Sequence, residues 1–432
     1  MAATEASLVP ILRRLIPGLS IYTAGNSNFQ DCLNFYNHAL DEQPLVCVKP
    51  VIDQEVAQVI QFCNTSGIPF CVRSGGHDFF GRSLIKGGVL IDMRAIDSII
   101  VEPGRASARV GGGVIAGTLQ ETLGSQGLFT PTGQTNTVGY VSWACGGGYG
   151  FYVGTYGFGV DQILGARVVL AGGQIVNTDQ DPELLWALRG AGAGTFGIVT
   201  ELRVKVYPVP DLYAGFLAFP LSDAAAVMDR IDKLLDEDFP DEFSGDAIAA
   251  HPEMVPMPVS EPCLVLFWST PAAYGAGDTS SPTFVRSRNV DRVQHKVGAI
   301  LAQQPPPHPM SIVIFHNNHG RGVRDGIADE VGSTFANRYK HVILGFHGGT
   351  KSGPVDAQDV SNAATWATEL RDAIDRDGLS LQGGFPSFFP PDQVDVEEFF
   401  GAQGAARLRR LKARLDPDNI FCHALPGLGQ AK

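Results

Sequence analysis

The chain has 432 residues, 44% hydrophobic and 18% charged, with a formal net charge of −13. That much apolar sequence excludes disorder over most of the length, and the acidic balance argues against nucleic-acid and anionic-membrane partners, which need a basic surface. The length exceeds one ordinary domain, and no apolar run is long enough to span a membrane.

The first residues, MAATEASLVPILRRLIPG, lack a secretory pattern, because Pro10, Arg13 and Arg14 break the apolar run and Glu5 stands where positive charge belongs. Residues 53–67 carry apolar positions at helical spacing, with Asp53 as N-cap and Gly67 as stop. IPFCVRSGG reads as a buried strand running into a glycine turn, and GGVLIDM as another strand. SIIVEPGRASARVGGGV looks like a hairpin around Pro103-Gly104, and 113–127 like a helix. Residues 131–160 are dense in Gly, Thr and aromatics, with little periodicity. ILGARVVLAGGQIVNT is a hairpin, DPELLWALRG a capped helix, and IVTELRVKVYP a strand of period 2. Composition shifts near residues 207–210. Beyond it, strands (CLVLFWST, SIVIFHN, HVILGFH) alternate with helical stretches at 222–236 and 359–376, and a basic helix, RLRRLKARL, ends at Asp416-Pro417. Seven cysteines without a C-x-x-C pair indicate neither a disulfide scaffold nor a zinc site. An Asn-x-Ser triplet at Asn64–Ser66 is the one sign of secretion, so the expected location is the cytoplasm.

GAGTFG (Gly192, Gly194, Gly197) fits the dinucleotide pattern, but a helix precedes it and a strand follows, the reverse of the Rossmann order. CVRSGGHDFFG is more specific. Successive glycines let backbone N–H groups converge on an anion, and His77 at that edge is a base, a ligand, an attachment point or an ordinary turn residue.

RSGGH, PTGQTNTVGYVSWACGGGYG, YGFGVDQI, DPELLWALRGAGAGTFGIVTELRVKVYP and RLRRLKARLDPDNIF together resemble the berberine-bridge-enzyme-like FAD oxidases of the vanillyl-alcohol oxidase superfamily. The resemblance implies an α+β fold. A two-part FAD-binding domain (1–210 and the return segment 395–432) would flank a substrate domain (211–394) with an antiparallel sheet covered by helices. It implies FAD bonded covalently to His77, with the backbone around Arg73, Ser74, Gly75 and Gly76 cradling the pyrophosphate and Asp78 among the cofactor-binding residues. Gly133, Thr135, Val138, Gly139, Ser142, Gly146, Gly147, Gly148 and Gly150 would line the flavin, and Ile198 would stand by the adenine. Thr135 replaces the family's second attachment cysteine, so His77 is the expected sole link. Trp143 stands where relatives often carry histidine. Gly404 and the Phe385-Pro386-Ser387 segment replace polar positions, which argues against a simple sugar substrate.

The expected reaction is oxidation of an alcohol, amine or activated C–H on a small, fairly apolar metabolite, with O2 as reoxidant. Non-redox cyclisation and oligosaccharide oxidation are the alternatives. In SIVIFHNNHG, Ile312, Ile314 and His316 share one strand face, which makes His316 the expected base, ahead of Tyr149 and Tyr152. His316 and His319 lack a third metal ligand, so no metal is expected. Either a monomer or a homodimer is compatible with the sequence.

Overall fold

A computed structural model describes residues 4–192, 194–211, 214–236, 240–255, 259–268, 283–350 and 356–429. The helix expected at 53–67 runs Asp53–Ser66, buries Val56, Val59, Ile60 and Cys63, and stops at Gly67, whose φ is 61°. Asp53 is not its cap. Ile52 takes that position without a side-chain hydrogen bond, and Asp53 sits in the first turn, 3.1 Å from Arg167 Nε. The helix N-terminus and the arginine both favour a carboxylate there, so pairing wins over capping.

This helix joins two parallel strands of a four-stranded sheet. Strands β1 (Ser20–Tyr22), β2 (Val46–Lys49), β3 (Phe70–Arg73) and β4 (Val89–Asp92) lie in the order β1-β2-β4-β3. Strands β2 and β3 each run parallel to β4. All four residues of β4 are buried, as parallel strands covered on both faces require.

Next come β5 (Ile99–Val101), β6 (Ser107–Gly111), β7 (Leu128–Phe129), β8 (Ile163–Val169), β9 (Ile175–Asn177), β10 (Ile198–Lys205) and β11 (Tyr207–Pro208). Five form an antiparallel sheet in the order β5-β6-β10-β8-β9, while β7 pairs with β11. Both expected hairpins are present, β5–β6 and β8–β9. The glycine-dense 131–160 region holds only short helices, Tyr140–Cys145, Val153–Tyr156 and Gly159–Gln162. GAGTFG follows the helix Pro182–Leu188 and precedes β10, in the non-Rossmann order; its Ala193 lies outside the described residues.

Strands β12 (Gly215–Pro220), β13 (Gly245–Ala250), β14 (Cys263–Trp268), β15 (Thr283–Val290), β16 (Ile312–Asn318), β17 (His341–Gly349) and β18 (Ser380–Leu381) form a third, antiparallel sheet. Their order is β12-β14-β13-β16-β17-β15-β18. Ser269 and Thr270, expected at the end of β14, lie outside the described residues. Helices Ala224–Asp236, His295–Gln303 and Ala357–Arg376 cover one face, where Met228, Leu301, Trp366 and Leu370 pack on Val313, Phe315, Leu344 and Phe346. Strand alternation then turns Ile312, Ile314 and His316 to the other face. The chain is thus α+β.

The last long helix, Val396–Leu415, returns to the five-stranded sheet. Its Ala405, Leu408 and Leu411 share a core with Leu184, Leu188, Val199 and Leu202. Buried Lys412 donates to Asp416 Oδ2 at 2.7 Å, to the Thr195 carbonyl at 2.8 Å and to the Phe421 carbonyl at 3.2 Å. Those bonds fix the tail that follows. Arg338, just before β17, forms a two-bond ion pair with buried Asp161, both bonds 2.7 Å, tying the third sheet to the short helices. Among the described residues no helix is long and apolar enough to cross a membrane.

Candidate active site

A cavity of about 370 Å³ has two unlike walls. One is built by the turn after β3 and the glycine-dense segment. The other is the helix-free face of β16 and β17.

Of the residues expected to hold a flavin, His77, Asp78, Gly133, Thr135, Val138, Gly139, Ser142, Gly146 and Gly148 line this cavity. Arg73, Ser74, Gly75, Gly76, Gly147, Gly150 and Ile198 stand behind them. Arg73 is 1% exposed and donates to the Asp31 carbonyl at 2.9 Å and to the Asn34 carbonyl. Ser74 Oγ donates to the Gly112 carbonyl at 3.0 Å. Gly147 is wedged against Phe335 and Phe385, and Gly150 against the Thr132 carbonyl. Ile198 is buried in the core under the four-stranded sheet. Asp78 is engaged by Arg82 Nε at 2.8 Å.

Flavin adenine dinucleotide needs donors for its pyrophosphate and a wall its ring system can approach, and the residues present fit both. A Cβ on Gly75 would fall 2.2 Å from Gly139 N, and one on Gly139 would fall 2.4 Å from Ser74 Oγ and 2.6 Å from Gly75 N, so the two loops close on each other with no room for a side chain at either glycine. Among the described residues no hydrogen bond engages the N–H of Gly75, Gly76 or His77. Three consecutive N–H groups without a described partner at a glycine turn are the kind of donor an anion such as a pyrophosphate requires.

His77 stacks on Tyr36 with ring centroids 4.7 Å apart, and its Nε2 lies 2.7 Å from Thr137 Oγ1. No described residue bonds its Nδ1. Burial, then the Arg73 charge, push its pKa down to about 4, so the ring is neutral at ordinary pH.

The opposite wall holds a network. His316 is 4% exposed, with Nδ1 2.7 Å from Asp246 Oδ2. Asp246 also accepts from the N–H of Asn317 at 3.2 Å and from the Gln134 amide. Register explains the contact, since Asp246 of β13 pairs directly with His316 of β16. A carboxylate only accepts, so the Nδ1 that faces Asp246 carries a proton. The sequence suggested an apolar setting for His316; the structure gives it a carboxylate partner instead. His347 of β17 opens onto the same cavity, in contact distance of the space beside Gly345. Burial, then the nearby His316, push its pKa down to about 3.

Tyr149 packs on His316 with centroids 4.3 Å apart, and burial, then Asp246 and Tyr36, push its phenol pKa up. It holds its proton and suits donation rather than acceptance. Tyr152 does not line the cavity. It packs on Phe129 at 5.5 Å, and burial with Tyr156 pushes it up to about 12. Sequence reading missed Asp246, Gln134, Tyr36 and His347. Only Asp246 gave a usable signal, as an aspartate inside the apolar strand of β13, where that residue type is depleted. Cys32, Cys47 of β2 and Asp92 of β4 cluster, but Arg94 and Arg73 already engage Asp92, which disfavours a cation there.

Residues 44–179 match the FAD binding domain family, and residues 389–426 the berberine and berberine-like family. The FAD-linked oxidoreductase aurO of Gibberella zeae is 32% identical, over 94% of this chain and 85% of that protein. The (R)-6-hydroxynicotine oxidase of Paenarthrobacter nicotinovorans is 34% identical over 53% of this chain and 52% of its own. Berberine bridge enzyme from Eschscholzia californica superposes with a TM-score of 0.83, covering 98% of this chain and 100% of that one, at 15% identity.

Proposed function

This chain belongs to the berberine-bridge-enzyme-like FAD-linked oxidoreductases, and from that premise we propose that it is an oxidase whose FAD is bonded to His77 alone. Its substrate would be a small, fairly apolar metabolite oxidised at an alcohol, amine or activated C–H. The carrying observation is the pairing of walls, with a neutral His77 facing the cavity on one side and the His316–Asp246 pair on the other.

Bound FAD supplies the hydride acceptor, with O2 as the eventual electron acceptor. The chain supplies the rest. The N–H groups of Gly75–His77 would hold the pyrophosphate. Thr135, having no thiol, offers no second link. Phe385, Phe388 and Tyr149 exclude water and orient an apolar substrate. His316 Nε2 would accept the substrate's O–H or N–H proton, and Asp246 would hold the ring with its Nδ1 proton facing the carboxylate. Residues 1–210 with 395–432 form the flavin unit in this reading, and 211–394 the substrate unit.

The test has two stages. Acid-precipitated protein should remain yellow, with the flavin on the peptide that contains His77. A metabolite screen should then yield a compound that bleaches the flavin without oxygen. A compound turned over with no bleaching and no net oxidation would instead support non-redox cyclisation.

A further inference from the structure

We infer that Thr137 is the positioning residue for flavin attachment, its hydroxyl holding the His77 ring in the orientation and tautomer from which the covalent bond forms. The inference rests on the proposed His77 link and extends it to a residue outside the cavity lining.

Three observations meet at this side chain. Thr137 Oγ1 is 2.7 Å from His77 Nε2, and no other bond to a described residue engages the His77 ring nitrogens. The Tyr36 ring stacks on the imidazole at 4.7 Å with planes 27° apart, which limits tilt but is the same for the two orientations related by a half-turn about Cβ–Cγ. Thr137 is therefore the polar contact that distinguishes the two ring nitrogens. Its own position is fixed, because the Thr137 carbonyl would fall 2.5 Å from a Cβ at Gly75, in the tight contact between the two glycine loops.

The chemistry needs that distinction. Attachment exchanges one C–H of the flavin's 8α-methyl group and the imidazole N–H for a C–N bond. Two electrons and two protons pass to the flavin ring, and dioxygen then reoxidises it. The attacking nitrogen must carry a lone pair, so the proton must sit on the other one. A hydroxyl that accepts the Nε2–H leaves the Nδ1 lone pair to attack. It can reverse its own direction and donate to Nε2 once that proton has gone. The low basicity of the buried ring keeps it neutral beforehand.

The test compares whole chains expressed with riboflavin in excess. Total flavin is read from absorbance, covalent flavin from fluorescence of the denatured polypeptide, and the linked peptide by mass. Thr137→Val keeps the shape and removes the hydroxyl, while Thr137→Ser keeps the hydroxyl. We expect Thr137→Val to bind flavin but to form the link at least about tenfold more slowly in a time course. Thr137→Ser should remain within about twofold of the parent. Should the valine chain not fold, Thr137→Ala carries the same comparison. A valine or alanine chain linked as fast as the parent overturns the role of Thr137 and leaves the His77 link standing. A parent chain that releases all its flavin into acid overturns the link itself, and this inference with it.

Discussion

The two walls of the cavity are made of different material. On the proposed flavin side the candidate recognising atoms belong to the backbone, and what Gly75 and Gly139 contribute is the lack of a side chain. On the sheet side they belong to side chains, held by strand pairing between residues 70 positions apart in sequence, His316 and Asp246. A backbone wall fails when anything is added. A side-chain wall fails when something is taken away, and then only in chemistry.

The largest expected effect lies in the first wall. Gly75→Val would drive its side chain into Gly139 N and the Thr137 carbonyl, both backbone atoms that cannot swing aside. Soluble protein should lose essentially all bound flavin, read as the absorbance ratio of flavin to protein. Retention of more than half would mean that the loops part easily and the cradle is not tight. Deleting 400–432 should be comparably severe, because it removes Leu408, Leu411 and the Lys412 anchor from the core. A truncated chain that still carried flavin would break the two-part flavin unit.

The second wall should respond in rate alone. His316→Ala should slow anaerobic flavin reduction by about 10²–10⁴-fold, the usual worth of a general base, while flavin content stays unchanged. Asp246→Asn should fall between that variant and the parent, because an amide oxygen can still accept from Nδ1 but the charge is lost and the NH2 faces one of the donors that both carboxylate oxygens now accept from. Full-speed reduction by His316→Ala, with the first substrate that bleaches the parent, would remove His316 from the mechanism.

The same contrast explains what could be read from the chain. The flavin wall is nearly contiguous in sequence, so RSGGH and the 131–150 stretch were visible as glycine strings and carried the family resemblance. The β5–β6 and β8–β9 hairpins were legible for a similar reason, since each is closed by its own turn. The sheet wall depends on register. Strand alternation placed His316 on the face that lines the cavity, but nothing local to SIVIFHNN announces that Asp246 lies opposite, or that β17 brings His347 to the same face. Tyr152 shows the converse. It sits in the right segment for the cavity, yet its backbone φ of 71° and its packing on Phe129 carry the ring elsewhere.

A smaller effect concerns acid. His347 and His341 have folded pKa values pushed down to about 3 and 4 by burial, whereas an unfolded imidazole titrates near 6.5. Between those values the unfolded chain binds the extra protons, so stability is full above about pH 6.5 and falls as pH drops toward the folded values. Each histidine contributes a slope of about 1.4 kcal/mol per pH unit in that window. His347→Phe should therefore flatten the fall of Tm between pH 6 and pH 4. If its curve simply runs parallel to the parent's, the imidazole is not held neutral by the fold.

The smallest expected effect tests where the cavity ends. Tyr152 lies one turn beyond the glycine-rich wall, and its ring belongs to a cluster with Phe129 and Tyr156. Its main-chain N–H, which donates to Ser244 Oγ at 3.0 Å, is unaffected by a change of side chain. Tyr152→Phe keeps the aromatic packing and removes only the hydroxyl. Because burial holds that phenol's pKa near 12, it carries its proton throughout the ordinary range and gives no base to lose. Flavin reduction by Tyr152→Phe should stay within about twofold of the parent, whereas Tyr149→Phe, whose ring lies against His316, should slow it measurably more. A tenfold loss at Tyr152 with an unaffected Tyr149 would reverse the order. The reacting face would then lie toward Phe129 rather than along β16.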